Sequence, residues 1–221
     1  MAFGDSITEG YVQRCPGAET TARGPMAPAF QPLILQGRAQ PSPTGYPAKL
    51  QTLLAERYAT QTISVINEGA GGEDVQTGAA DLARVLTTDA PQVLLLLEGI
   101  NSLNQQHAEG IPIVVDALRR MIREGRGRGL TVFVGTILPE RPGGCRAYDL
   151  ADGKDDIIPA NVEIRGLVGT EGAVLVDLYQ AFNGRTSTLI GQDGLHPSEA
   201  GYQVIAETFF AAIRQHLEEA E

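Results

Sequence analysis

Short runs of uninterrupted apolar residues constrain this chain more than any other feature. Gln92-Val-Leu-Leu-Leu-Leu97 is the purest, and Thr62-Ile-Ser-Val-Ile66, Leu130-Thr-Val-Phe-Val-Gly135 and Ala173-Val-Leu-Val176 resemble it. A strand with one wet face alternates apolar and polar side chains; these runs do not. They fit strands covered on both faces, as in a parallel sheet. A fifth, very short strand is expected at Met1-Ala2-Phe3.

Helical patterns separate the strands. Pro47 to Tyr58 carries Leu50, Leu53, Leu54 and Tyr58 on one face, and Val75 to Leu86 carries Val75, Ala79, Leu82 and Leu86. Ile111 to Arg126 offers Ile113, Ala117, Leu118, Met121 and Ile122. Asp156 to Val168 is a weaker pattern, whereas Ser198 to Leu217 carries a clean stripe of Tyr202, Ile205, Ala206, Phe209, Ile213 and Leu217. Strand and helix in alternation predict an open, doubly wound α/β sheet. Nothing inside the chain reads as a linker, so one domain over residues 1–221 is expected.

Two connections are too long for simple turns. One runs from Tyr11 to Gly45 and holds Pro16, Pro25, Pro28, Pro32, Pro41 and Pro43; the other runs from Leu138 to about Asp155. Both follow strands. In an α/β sheet, ligands bind beyond the carboxyl ends of the strands, so both loops are expected to form a pocket rim or lid there.

Charge narrows the partners. A net charge of −10 without a long basic run argues against nucleic acid and anionic membrane surfaces. No apolar stretch nears the roughly 20 residues of a membrane-spanning helix. Cys15 and Cys145 form no CxxC and have no nearby histidine, which argues against zinc. Two readings of them stand: free thiols, or one disulfide joining the long loops in an oxidising compartment. The first strand is short, which suggests a trimmed leader. The expectation therefore leans to a secreted or periplasmic protein, with the cytoplasm as the alternative.

Chemistry-bearing residues gather where strands end. Gly4-Asp5-Ser6 follows the first strand, and Asn67-Glu-Gly69-Ala-Gly71-Gly72 follows the second. Glu98-Gly99-Ile100-Asn101 follows the third, and Asp193-Gly-Leu-His196 lies shortly before the last helix. A hydroxyl, a mobile glycine backbone, a carboxamide, a carboxylate and an imidazole on one edge are the inventory for acyl transfer. Ser6 is a weak nucleophile unless a base takes its proton. His196 is the natural base, since imidazole titrates nearest neutrality. Asp193, three residues earlier, can fix its tautomer and stabilise the imidazolium. Gly72 lacks a Cβ, so its N–H can approach a substrate oxygen. Asn101 can donate from its amide, and the Ser6 N–H completes three donors for an oxyanion. Each motif alone has a plain reading as a turn or cap, Ser198 capping the last helix among them; their joint order is the signal. His107 and His216 lack such settings and are read as structural.

These blocks resemble the SGNH hydrolases, also called the GDSL lipase/acylhydrolase family. Gly4-Asp5-Ser6 matches the first block, and Asn67, Gly69 and Gly72 match the second. Gly99-Ile100-Asn101 matches the third, and Asp193-Gly-Leu-His196 the fifth. The resemblance implies a flavodoxin-like three-layer α/β/α sandwich around a mostly parallel five-stranded sheet. It implies a triad of Ser6, Asp193 and His196, an oxyanion hole of Ser6, Gly72 and Asn101, and no metal or organic cofactor. One position departs: Ser102 stands where the family often has Asp, and a weaker brace of the neighbouring loops is expected.

Rival readings fare worse. From Gly69 the chain reads G-A-G-G-E-D, so Asp74 spoils a dinucleotide fingerprint, and no P-loop is present. Thr8 replaces the last glycine of a G-x-S-x-G elbow. A non-catalytic carbohydrate-binding domain would need aromatic faces, for which Tyr11, Tyr46 and Tyr148 are the candidates; the chain has no Trp. The expected activity is a serine esterase on small-molecule or carbohydrate esters, with short acyl groups such as O-acetyl. Lysophospholipid or thioester hydrolysis is the alternative.

Overall fold

The computed structural model describes residues 1–11, 43–147 and 155–218. Five strands form where chain segments can bury both faces: β1 (Ala2–Gly4), β2 (Asn67–Gly69), β3 (Val93–Leu97), β4 (Thr131–Gly135) and β5 (Val174–Val176). They pair in the order β2-β1-β3-β4-β5, and every pairing is parallel. Phe3, Leu94, Leu96, Phe133 and Val134 lose all contact with solvent. Burying a side chain of that size stabilises a fold by about 1.5–3 kcal/mol, so the continuous apolar runs are the sheet's own driving force.

The long predicted helices form close to their expected bounds. They are α2 (Tyr46–Arg57), α3 (Val75–Asp89), α5 (Gly110–Gly127), α6 (Ile157–Glu171) and α9 (Glu199–Glu218). α3, α5 and α6 pack side by side against one face of the sheet, while α2 and α9 pair on the other. Tyr46 and Phe209 stack between α2 and α9, with ring centroids 5.3 Å apart. The result is a three-layer α/β/α arrangement. Ser198 caps α9 as expected, its hydroxyl accepting the Gly201 N–H at 3.1 Å.

Four short helices carry no periodic signature and were not expected: α1 (Ser6–Glu9), α4 (Ile100–Gln106), α7 (Leu178–Phe182) and α8 (Thr186–Leu189). The second strand also differs from expectation. The Thr62–Ile66 run is not the paired strand; pairing falls on Asn67–Gly69, opposite Ala2–Gly4. Ladder bonds need a partner, and β1 offers only three residues. The end of the apolar run touches β1 through Ile66 O, which accepts the Ala2 N–H at 2.8 Å, while earlier residues find another partner: the Gln51 side chain accepts from Val65 N and donates to Ile63 O.

β1 lies inside the sheet, with β2 on one side and β3 on the other. Gly4 is in register with Gly69 and with Leu97. The segments leaving β1, β2 and β3 therefore emerge together, at the point where the strand order reverses direction. Crevices of open α/β sheets form at that point.

Candidate active site

Gly4 leads directly into the site. A Cβ there would lie 2.1 Å from Leu97 O and 2.3 Å from Thr8 Oγ1, so only glycine lets the chain turn this tightly. Asp5 then caps α1, its Oδ1 accepting the Ile7 N–H at 2.9 Å. The turn places Ser6 at the start of α1, 7 % exposed. Gly10 ends the turn with φ +91°.

The partner comes from the opposite end of the chain. Ser6 Oγ lies 2.9 Å from His196 Nε2, although 190 residues separate the two. His196 Nδ1 lies 2.5 Å from Asp193 Oδ2. Facing a carboxylate that closely, Nδ1 carries the proton, which leaves the Nε2 lone pair for the Ser6 hydroxyl. Asp193 Oδ1 accepts the Leu195 and His196 N–H groups at 3.2 and 3.1 Å. Burial pushes the Asp193 carboxyl up, but the bonds from the His196 ring and these N–H groups outweigh it and hold it below the usual value.

The turn bearing Asp193 and His196 is built around glycines. Gly194 has φ +91°, and the Gly191 N–H donates to His196 O at 2.7 Å. The loop after β4 supports it from outside: Arg141 N donates to Gly194 O at 2.9 Å and Arg146 N to Asp193 O at 2.7 Å. The described part of the second long connection thus braces the acid–base turn, while residues 148–154 lie outside the described residues. So do residues 12–42 of the first connection. Cys145 is disulfide-bonded; Cys15, the chain's other cysteine, lies outside the described residues.

The glycine turn after β2 faces Ser6 from the other side. A Cβ on Gly71 would reach within 4.0 Å of Ser6 Cβ, and one on Gly72, at φ +77°, would meet nothing within 4 Å. Several bonds hold this turn. Ala70 N donates to Gly4 O at 2.8 Å and Glu73 N to Ala70 O at 3.1 Å. Asn101 Nδ2 donates to Glu73 O at 2.9 Å, and Ser102 Oγ accepts the Val75 N–H at 3.1 Å. Asn101 thus spends one amide proton on the loop that carries Gly72. Ser102 thus braces α4 against the start of α3 through this one bond.

Aromatic residues frame the imidazole. The Tyr11 ring packs edge-on against His196 with centroids 5.1 Å apart, and Tyr11 is 42 % exposed. Tyr202 Oη donates to Tyr11 O at 2.6 Å. Of the three proposed sugar platforms, Tyr46 is fully buried under α9 and serves the core instead; Tyr148 lies outside the described residues. His107 and His216 stay apart from the site: His107 Nδ1 is 3.8 Å from Asp156 Oδ2, and the His216 ring lies edge-on to Phe133. Among the described residues, no cluster of His, Cys, Asp or Glu has the makings of a metal site. No helix among them is long and apolar enough to cross a membrane.

Two carboxyl groups flank Ser6 in sequence, Asp5 as the cap of α1 and Glu9 at its end. Burial pushes the Asp5 carboxyl up to about 7, against the Ile7 N–H bond and helped by the charges of Glu73 and Glu9. Glu9 was not singled out in the sequence. Its carboxyl is also raised by burial, against a bond from the Gly71 N–H and the nearby charge of His196.

A family model described as the GDSL-like Lipase/Acylhydrolase family matches residues 2–204. The chain belongs to that family. It is a GDSL-type hydrolase, and the sandwich it forms is shared by solved structures from this group. A lipase/acylhydrolase from Enterococcus faecalis superposes with a TM-score of 0.69 at 21 % identity, over 97 % of this chain and 94 % of that one. An acetyl xylan esterase from Geobacillus stearothermophilus gives 0.69 at 20 % identity, over 96 % and 92 %. A family 3 carbohydrate esterase from Clostridium thermocellum gives 0.65 at 21 % identity, over 100 % and 96 %. At these identities the likeness speaks for the fold. No curated protein matches the chain.

Proposed function

We propose that this GDSL hydrolase is a serine esterase that cleaves carboxylic esters through an acyl-enzyme on Ser6. One observation carries the reading: the unbroken, buried chain of bonds from Ser6 Oγ through the His196 ring to Asp193. Nε2 takes the hydroxyl proton as Oγ attacks the ester carbonyl, and Asp193 stabilises the imidazolium so formed. The negative charge on the carbonyl oxygen is received by the N–H groups of Ser6 and Gly72 and by the Asn101 amide. Collapse of the tetrahedral intermediate expels the alcohol, which takes its proton from His196. The same imidazole then activates water to release the acid.

The substrate we propose is a short acyl group, O-acetyl above all, on a carbohydrate. Tyr11 supports this: its half-exposed ring stands beside His196, where the departing alcohol needs its proton and where a flat apolar face can receive a sugar. Two solved structures of similar fold are named as an acetyl xylan esterase and a carbohydrate esterase. The test compares wild type with Ser6→Ala on p-nitrophenyl acetate, a series of longer acyl esters and an acetylated oligosaccharide. The expected result is release of acetate by wild type alone, with rates falling as the acyl chain lengthens. Equal release by both proteins removes the serine mechanism. A preference for long acyl chains, lysophospholipids or thioesters removes the substrate assignment.

A further inference from the structure

Ser6 and Glu9 stand one helical turn apart, so both side chains leave the same side of α1. Ser6 turns to the imidazole. Glu9 turns to the loop after β2, and its backbone is already pressed against that loop. A Cβ on Gly69 would lie 2.1 Å from Glu9 N, and Asn67 Nδ2 donates to Glu9 O at 3.4 Å. The Glu9 carboxylate lies against Gly71, where a Cβ would sit 2.6 Å from Oε2, and the Gly71 N–H draws the Glu9 carboxyl down against the effect of burial. Gly71 immediately precedes Gly72. The Gly71 N–H lies in the Ala70–Gly71 peptide plane, one residue before the Gly72 N–H, so holding Gly71 against Glu9 fixes where the chain enters the Gly72 turn.

The other anchors of this loop act elsewhere. Ala70 is tied to Gly4, Glu73 to Asn101, and Val75 to Ser102. Glu9 alone among them reaches from the helix that carries Ser6 itself. It therefore couples the position of the nucleophile to that of the glycine turn facing it. A one-ångström misplacement of an oriented group costs on the order of 100-fold in rate, so such a coupling is felt in kcat rather than in substrate affinity.

We infer that Glu9 is a positioning residue for the ester cleavage proposed above, its side-chain oxygen holding the Gly71–Gly72 turn in place against Ser6. The inference rests on that reading of the site. It asks for an acceptor atom at this position, and a glutamine carbonyl supplies one as well as a carboxylate does.

The experiment measures kcat and KM on p-nitrophenyl acetate for wild type, Ser6→Ala, Glu9→Ala and Glu9→Gln. For wild type and the Glu9 variants each rate is divided by the amount of enzyme that a fluorophosphonate titrant labels, so that loss of folded protein does not count as loss of rate; for Ser6→Ala, which has no serine to label, it is divided by the concentration of folded protein from circular dichroism. Glu9→Ala is expected to lose about 10- to 100-fold in kcat with KM within about threefold of wild type. Glu9→Gln is expected to recover to within about threefold of wild type. Should Glu9→Ala fail to fold, Gly71→Ala approaches the same bond from the loop side, where the added methyl displaces Oε2, and the same loss in kcat is expected. Full activity in Ser6→Ala removes the esterase reading itself. An inactive Ser6→Ala beside a Glu9→Ala of wild-type kcat leaves that reading standing and overturns the inference. Equal losses in Glu9→Ala and Glu9→Gln overturn it too, because the charge rather than the held N–H would then matter.

Discussion

Asp193→Asn separates the catalytic duty proposed for this carboxylate from its structural one. The side chain is fully buried. Oδ1 accepts two backbone N–H groups, from Leu195 and His196, and Oδ2 faces His196 Nδ1 at 2.5 Å. An asparagine oxygen can keep both backbone bonds. Its NH2 group then takes the place of Oδ2, and a donor faces the imidazole. The ring must answer with a bare Nδ1, which moves its proton to Nε2 and aims it at Ser6 Oγ. A protonated Nε2 cannot accept the hydroxyl proton. In a serine protease this same change lowers kcat about 10⁴-fold, and that factor corresponds to roughly 5 kcal/mol of barrier. Asp193→Ala instead strands two buried N–H groups at about 1–3 kcal/mol each, a destabilisation of roughly 2–6 kcal/mol. The assay pairs kcat on p-nitrophenyl acetate with urea unfolding. The expected outcome is a stable, inactive Asn variant beside an Ala variant that is both inactive and less stable. An Asn variant keeping more than about a tenth of wild-type kcat, where about 10⁻⁴ is expected, refutes the tautomer argument. An Ala variant as stable as wild type refutes the bonding argument.

Other substitutions test the surroundings. Asp5, pushed up to about 7 from 3.8 by burial, holds its proton more tightly in the folded state. The stability this confers is fully present below about pH 4 and is lost as pH rises towards 7, by as much as roughly 4 kcal/mol. Asp5→Asn keeps the Ile7 acceptor, so urea unfolding across this range is expected to show a flatter pH dependence; an unchanged slope counts against the assignment. Ser102→Ala leaves the buried Val75 N–H without its acceptor, and a loss of about 1–3 kcal/mol is expected in thermal or urea melts. A Cβ at Gly144 would lie 2.3 Å from Asp193 O. Gly144→Ala is therefore expected to shift the acid–base turn and depress kcat, and a variant with wild-type kcat would show that the turn does not depend on this contact. Acidification is expected to slow the enzyme, since a proton on Nε2 occupies the lone pair that Ser6 needs; a pH–rate profile that stays flat down to about pH 4 contradicts a histidine base.

Much of this was legible in the chain itself. The Val93–Leu97 run and the Tyr202–Ile213 stripe report burial through periodicity, and both elements form close to their expected bounds. Gly4-Asp5-Ser6 and Asp193-Gly-Leu-His196 are turns whose geometry is set within a few residues, and the structure brings Ser6, His196 and Asp193 into one hydrogen-bonded line. The second strand was misjudged because apolar content forecasts burial, not pairing. Thr62–Ile66 has the composition of a strand, yet a ladder forms only where β1 is present to accept it. Asn101 was expected to donate to an oxyanion; the described site also has it bonding Glu73 O, a contact made through space by a residue 28 positions away.

Sequence alone determined the alternation of strand and helix, the acidic charge and the identity of the chemical groups, because these depend on composition and on neighbours a few positions off. It also placed those groups at strand ends. Tertiary structure decided which of them meet. Interior placement of β1, with β2 and β3 on either side, brings the segments after three strands to one crevice, and the packing of α9 against α2 sets the turn before it over Ser6. Glu9 illustrates the division. As a letter in the sequence it is an ordinary helix-end carboxylate; only the approach of the Gly69–Gly72 backbone to within bonding distance gives it a partner, because a hydrogen bond needs two groups and a sequence states just one of them at a time.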